Sequence, residues 1–182
     1  MIQPNQRNNL KKYLLLSLIT PFFLFANTTP FSKSKDIKAD LVTVVKSERK
    51  MYLSCKGKIL KKFDIALGGN PVGPKRVQGD KKTPEGSYRL DYLKENSSFY
   101  KALRISYPSS KDHQNARKLG KSPGGAIMIH GQPNNREIKK PFLNRFFKRK
   151  NDWTAGCIAL ENSEMDEVLR LVKVGTPIRI KP

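Results

Sequence analysis

Beyond position 40, apolar and polar residues alternate with a period of two through much of the chain. Leu41-Val-Thr-Val-Val45 and Lys50-Met-Tyr-Leu-Ser-Cys-Lys56 read as strands, and Lys46-Ser-Glu-Arg49 between them has the length of a hairpin loop. A third strand, Ile59 to Leu67, ends in Gly68-Gly69-Asn70-Pro71. The same pattern returns in Ser87 to Tyr92, in Leu103, Ile105 and Tyr107, and in Thr176 to Ile180, while Ala126-Ile-Met-Ile-His130 is an apolar strand that ends in a histidine. Helical spacing is confined to three places. Lys111 to Leu119 predicts a short helix stopped by Gly120. Pro141 to Lys150 places Phe142, Leu143, Phe146 and Phe147 on one face and basic residues on the other. A third helix is capped by Asn162 or Ser163, buries Met165, Val168, Leu169 and Val172, and stops at Gly175. Many short strands with Gly and Pro between them, and few helices, predict a mainly β fold, a β-rich mixed sheet or sandwich rather than a parallel α/β fold.

The first 26 residues have a different character. Arg7, Lys11 and Lys12 precede the apolar run from Tyr13 to Ala26, which is short for a membrane span and contains Pro21. This is the layout of a secretory signal, with cleavage expected after Ala26; a retained N-terminal membrane anchor is the alternative. Residues 27–40 are polar and small, a flexible lead, and 41–182 form one domain, within the usual ~100–200 residues. Export predicts the periplasm or cell envelope. It also changes the meaning of the charge. The 182-residue chain carries 36 Lys and Arg against 15 Asp and Glu, a net charge of +21, or +18 without the leader. Such an excess suits nucleic acid by electrostatics, but an exported chain meets an anionic envelope surface instead, so no nucleic-acid partner is expected.

Cysteine and histidine are scarce, two of each, so each can be weighed singly. Cys55 continues the alternation of Met51 and Leu53 and reads as a small core hydrophobe. Cys157 lies in Asn151-Asp-Trp-Thr-Ala-Gly-Cys-Ile-Ala-Leu160, where Gly156 permits a tight turn that leaves sulfur exposed. A bridge between the two remains open, because sequence does not place their Cα atoms. His113 sits in a polar run and reads as an exposed helix residue, whereas His130 ends a buried strand just before Gly131, where a side chain is aimed into a cleft. A thiol ionises near pH 8.5 and needs a base to act at neutral pH. His130 is the candidate base, Cys157 the nucleophile, and the backbone N–H groups of Ala155, Gly156 and Cys157 are placed to stabilise an oxyanion. That combination predicts acyl transfer through a thioester. Metal chemistry would need every Cys and His at one point, and no Gly-rich phosphate loop is present, so no metal or other cofactor is expected. Trp153 is either a stacking platform at the cleft or a core anchor for the turn. The Phe-rich helix from Pro141 packs beside the cleft or serves as a lid or membrane-surface element.

Four segments taken together carry a resemblance. Ala66-Leu-Gly68, Gly79-Asp-Lys-Lys-Thr-Pro-Glu-Gly86, Ile129-His-Gly131 and Thr154-Ala-Gly-Cys157 occur in the order found in the YkuD-type L,D-transpeptidase domain, over about Leu41 to Pro182. The resemblance implies a β-rich catalytic domain whose cysteine attacks a peptidoglycan stem peptide at the bond after diaminopimelate. The acyl group would pass to an amine of another stem, to a lysine of a wall-attached lipoprotein, or to water. It implies Cys157 as nucleophile, His130 as base, and Gly131, Trp153 and Thr154 at the substrate. Two positions depart from the usual Ser/Thr-His-Gly-Cys-Ile/Val-Arg pattern: Ala155 stands for the second histidine and Ala159 for the arginine. The segment from His130 to Cys157 is also longer than usual. Asp152 to Leu160 resembles the YafK-type branch, which includes hydrolases. A wall-binding module without catalysis is the reading of another class.

Overall fold

A computed structural model of the chain describes residues 37–94, 96–135 and 151–182. The leader, most of the lead and the Phe-rich helix from Pro141 to Lys150 lie outside the described residues. Among the described residues, no helix is long and apolar enough to cross a membrane.

The fold is mainly β, as the alternation predicts. Eight strands form one mixed sheet: β1 Leu41–Val45, β2 Lys50–Cys55, β3 Lys58–Asp64, β4 Gly86–Lys94, β5 Ala102–Ile105, β6 Met128–His130, β7 Ile158–Ala159 and β8 Pro177–Lys181. Their spatial order is β3-β2-β1-β8-β4-β5-β6-β7. The two parallel pairings, β1 with β8 and β6 with β7, join segments far apart in the sequence. β4 pairs with β8 through its first half and with β5 through its second, across a register shift between Leu90 and Leu93.

Side chains alternate across a strand, and here one face is buried: Val42 and Val44 on β1, Met51 and Leu53 on β2, Tyr88 and Leu90 on β4, Ile178 and Ile180 on β8. Two helices complete the described fold, α1 Ser110–Lys118 and α2 Asn162–Leu171. The buried side of α2, Met165, Val168 and Leu171, joins the same core. Packing begins ahead of Leu41, because Ala39 is buried and its N–H donates to Leu171 O.

Three local expectations are corrected. Glu161, not Asn162 or Ser163, caps α2; its N–H donates to the Glu164 carboxylate, while Asn162 Oδ1 accepts from the Gln132 amide instead. Cys55 is only partly buried, at the end of β2, beyond the point between Leu53 and Ser54 where the register with β3 shifts. The third strand ends at Asp64 rather than Leu67. Beyond it the chain changes partner, with Ala66 bridging Ala159 and Gly68 bridging Thr154.

Candidate active site

That change of partner builds the site. Three segments distant in sequence meet at backbone separations that only glycine permits. A Cβ on Gly68 would lie 2.1 Å from Lys81 O and 3.1 Å from Gly156 Cα. A Cβ on Gly156, whose φ is +133°, would lie 2.6 Å from Lys82 O. Within the polar loop, buried Thr83 accepts the Gly68 N–H at 3.0 Å. Asp80 organises the same loop: its carboxylate accepts from the N–H groups of Arg76, Val77 and Lys82 and pairs with Lys75 Nζ at 2.8 Å. Burial opposes ionisation of Asp80, but the Lys75 ammonium and the three amides outweigh it and hold its pKa below the usual carboxylate range.

The segment entering the turn is clamped from one side. Asp152 accepts Nε and Nη2 of Arg49 at 2.9 and 2.7 Å and the Leu67 N–H at 2.8 Å. The N–H groups of Trp153 and Thr154 both donate to Leu67 O, and Thr154 O accepts from Gly69. The turn then closes on a side chain: Thr154 Oγ1 accepts the Gly156 N–H at 3.0 Å and donates to Cys157 O at 2.7 Å. Thr154 is therefore buried and engaged within the turn. The Gly156 N–H is engaged as well.

Cys157 immediately precedes β7, and His130 ends β6. Ile129 pairs with Ile158 and His130 with Ala159. Carried back one residue, this register sets Cys157 opposite Met128, two positions from His130 and so on the same face of the pair. The thiol donates to Ala126 O at 3.5 Å, and the Met128 amide hydrogen-bonds the sulfur. Both thiols of the protein are free, with Cys157 half-buried rather than fully exposed. Burial raises the Cys157 pKa, while the Met128 amide and the Lys75 charge pull it down.

His130 is 2% exposed. Burial lowers its pKa to about 4, with its bond to Gly131 O acting in the opposite direction. The ring is therefore neutral at pH 7. Nδ1 lies 2.7 Å from Gly131 O, so in the neutral ring Nδ1 carries the proton and Nε2 the lone pair. Aromatic side chains cover the imidazole: Phe99 stacks on it with centroids 4.1 Å apart, and Trp153 meets it edge-on at 5.7 Å. A Cβ on Gly131 would meet Asn162 Oδ1 at 2.6 Å and Tyr100 O at 3.0 Å, so a side chain there would displace the Asn162 amide that accepts from the Gln132 N–H. Its N–H donates to Tyr100 O.

Of the residues singled out in the sequence, His130, Gly131, Trp153, Thr154, Ala155, Gly156 and Cys157 all lie along this junction, and His113 is exposed on α1. Sequence reasoning missed Phe99, Arg49, Asp80 and Lys75. Asp80 had a signal, since it stands inside the Gly79–Gly86 turn. Phe99 had none: it is brought in by its bridge to Pro133 and the Tyr100 N–H bond to Gln132 O. Among the described residues, no three His, Cys, Asp or Glu side chains come together as a metal site requires.

Known proteins resemble this chain in sequence and in fold. Residues 39–180 match the family YkuD, the L,D-transpeptidase catalytic domain. YafK of Escherichia coli K12 is 29% identical over 178 residues, covering 87% of this chain and 62% of YafK, so the chain spans less than two thirds of that relative. The structure of the helical cell shape determining protein Pgp2 from Campylobacter jejuni is 27% identical with a TM-score of 0.55, covering 81% of this chain and 49% of Pgp2. Bd1075 of Bdellovibrio bacteriovorus shares the fold at 21% identity, with a TM-score of 0.51 and coverage of 81% and 49%. The family match takes in most of the chain, including every segment that builds the site, and the protein belongs to the YkuD family of L,D-transpeptidase catalytic domains.

Proposed function

We propose that the protein is an exported cysteine acyltransferase acting on peptidoglycan stem peptides. The observation that most supports the reading is the parallel pairing of Ile129 with Ile158 and His130 with Ala159, which continued by one residue would put Cys157 and His130 on one face. His130 Nε2 takes the thiol proton. The Cys157 sulfur attacks the carbonyl at diaminopimelate, the C–N bond to the terminal residue breaks, and His130 returns the proton to the departing amine. A thioester remains, and an amine of another stem, a lysine of a wall-attached protein, or water attacks it. The Gly156 N–H already serves Thr154 Oγ1, so we assign the developing oxyanion to the amides of Ala155 and Cys157. Trp153 and Phe99 form the apolar wall that keeps water from the imidazole. Gly131 and Thr154 act on substrate indirectly, by shaping that wall and the turn. The resting pair is a neutral thiol beside a neutral imidazole, consistent with general-base transfer rather than a preformed ion pair.

Mass spectrometry of muropeptides and lipoprotein-linked wall, each incubated with the protein and with Cys157→Ala, tests this. New cross-links or exchanged terminal residues, absent with the variant, are the expected outcome. Loss of a terminal residue or release of attached protein would make water the acceptor. Products identical with and without Cys157 would leave the wall-binding module as the better reading.

A further inference from the structure

A groove of about 770 Å³ lies between the start of β4, the end of β8, α1 and the loop at Pro74–Arg76. Its charges are unevenly engaged. Both acidic side chains in it already have partners: Glu85 pairs with Lys46 at 2.8 Å, and Asp112 accepts from Ser109 N, Ser109 Oγ and Tyr88 OH. Of five cations lining the same space, Lys75 is paired with Asp80, and the other four lie on three separate elements: Arg76 on the loop, Lys111 and Lys118 on α1, and Lys181 on β8. Among the described residues, no hydrogen bond or ion pair engages the side chains of these four. The groove is thus a concave, positively charged surface in which four of the five cationic side chains are unengaged.

We propose that this groove binds the carboxylates of an anionic peptide strand, the continuation of the stem peptide on which Cys157 acts. The proposal rests on the acyltransferase reading. Three features favour carboxylates along a chain over a single phosphate. The cations are spread over separate walls instead of converging on one point, as a phosphate requires. The N-terminus of α1, which would favour a phosphate, is already closed by the Ser109–Asp112 capping box. Lys111 and Lys118 are two helical turns apart, about 10 Å, which matches about three residues of extended peptide. Continuity with the catalytic turn comes from Lys75. It lines the groove and pairs with Asp80, whose carboxylate also accepts the Lys82 N–H, and the Lys82 carbonyl lies against Gly156 in the turn before Cys157.

Isothermal titration of Cys157→Ala protein with a free Ala-Glu-diaminopimelate tripeptide, at two salt concentrations, tests the proposal. The doubly substituted Lys111→Ala/Lys118→Ala form should bind at least 10-fold more weakly with a shallower salt dependence, and Lys111→Arg/Lys118→Arg should bind as the parent does. Equal affinity in all three would overturn the proposal. So would equal binding of a tripeptide whose carboxylates are amidated, or binding to phosphatidylglycerol vesicles without binding to the tripeptide. Acylation of Cys157 is read separately in the parent protein, so failure of the acyltransferase reading and failure of the groove are distinct results.

Discussion

His130 illustrates how burial sets the chemistry that a side chain can offer. Its strand removes it from water, Gly131 O selects the tautomer, and Phe99 and Trp153 exclude solvent from the ring. Desolvation penalises the charged imidazolium, which is why the pKa falls to about 4. Replacing Phe99 by Ala admits water to the stacked face, so the His130 pKa should rise toward its ordinary value near 6.5. An NMR titration of the ring protons measures this directly. The acid limb of the pH–activity profile should move up with it. An unmoved titration would show that Phe99 fills space without governing the base. His130 and Cys157 stood out in the sequence as candidates through their scarcity and their glycine neighbours. Phe99 was not, because its place depends on a bridge to Pro133 that no local pattern announces.

At the level of elements, the site depends on loops fastened to strands rather than on the strands alone. The Arg49–Asp152 pair crosses from the β1–β2 loop to the segment before Cys157, and Asp152 also holds the Leu67 amide. Charge-assisted bonds of this kind, partly buried, contribute about 2 kcal/mol. Asp152→Ala should therefore lower stability by about 2 kcal/mol in urea unfolding and cut acylation of Cys157 by a larger factor than the unfolded fraction explains, since Trp153 and Thr154 lose their anchor. Acylation that falls only in step with stability would reduce Asp152 to a structural tie. Most strands and the two described helices followed from periodicity to within a few residues, whereas β7 did not. Their ends did not, for a reason visible at Asp64: the chain there leaves β2 and bridges Ala159 and Thr154, and the apolar pattern runs on unchanged while the partner changes.

For the whole molecule, the buried histidine links folding to pH. An unfolded histidine binds a proton below about pH 6.5, whereas folded His130 does so only near pH 4. Between those values the unfolded state holds the extra proton, so stability rises with pH, by about 3 kcal/mol over the window at ~1.4 kcal/mol per unit. Its contribution is complete above pH 6.5 and is lost as the pH falls toward 4. Glu161 and Glu164, whose burial raises their pKa, act with the opposite sign above their ordinary values. Chemical unfolding at pH 7 and pH 4.5, compared with His130→Gln, isolates the histidine. The variant should show the weaker loss of stability on acidification, and equal losses would contradict a neutral buried ring.

Strand content, the two catalytic candidates and the family resemblance were properties of the sequence alone, because period-two alternation, glycine turns and scarce reactive residues are local. Tertiary structure decided what those residues meet. The parallel pairing of β6 with β7, the contacts of Gly68 and Gly156 with the Lys81–Lys82 backbone, the Phe99 cover and the groove beside α1 all join segments tens of residues apart, and such contacts follow from the packing of the whole chain.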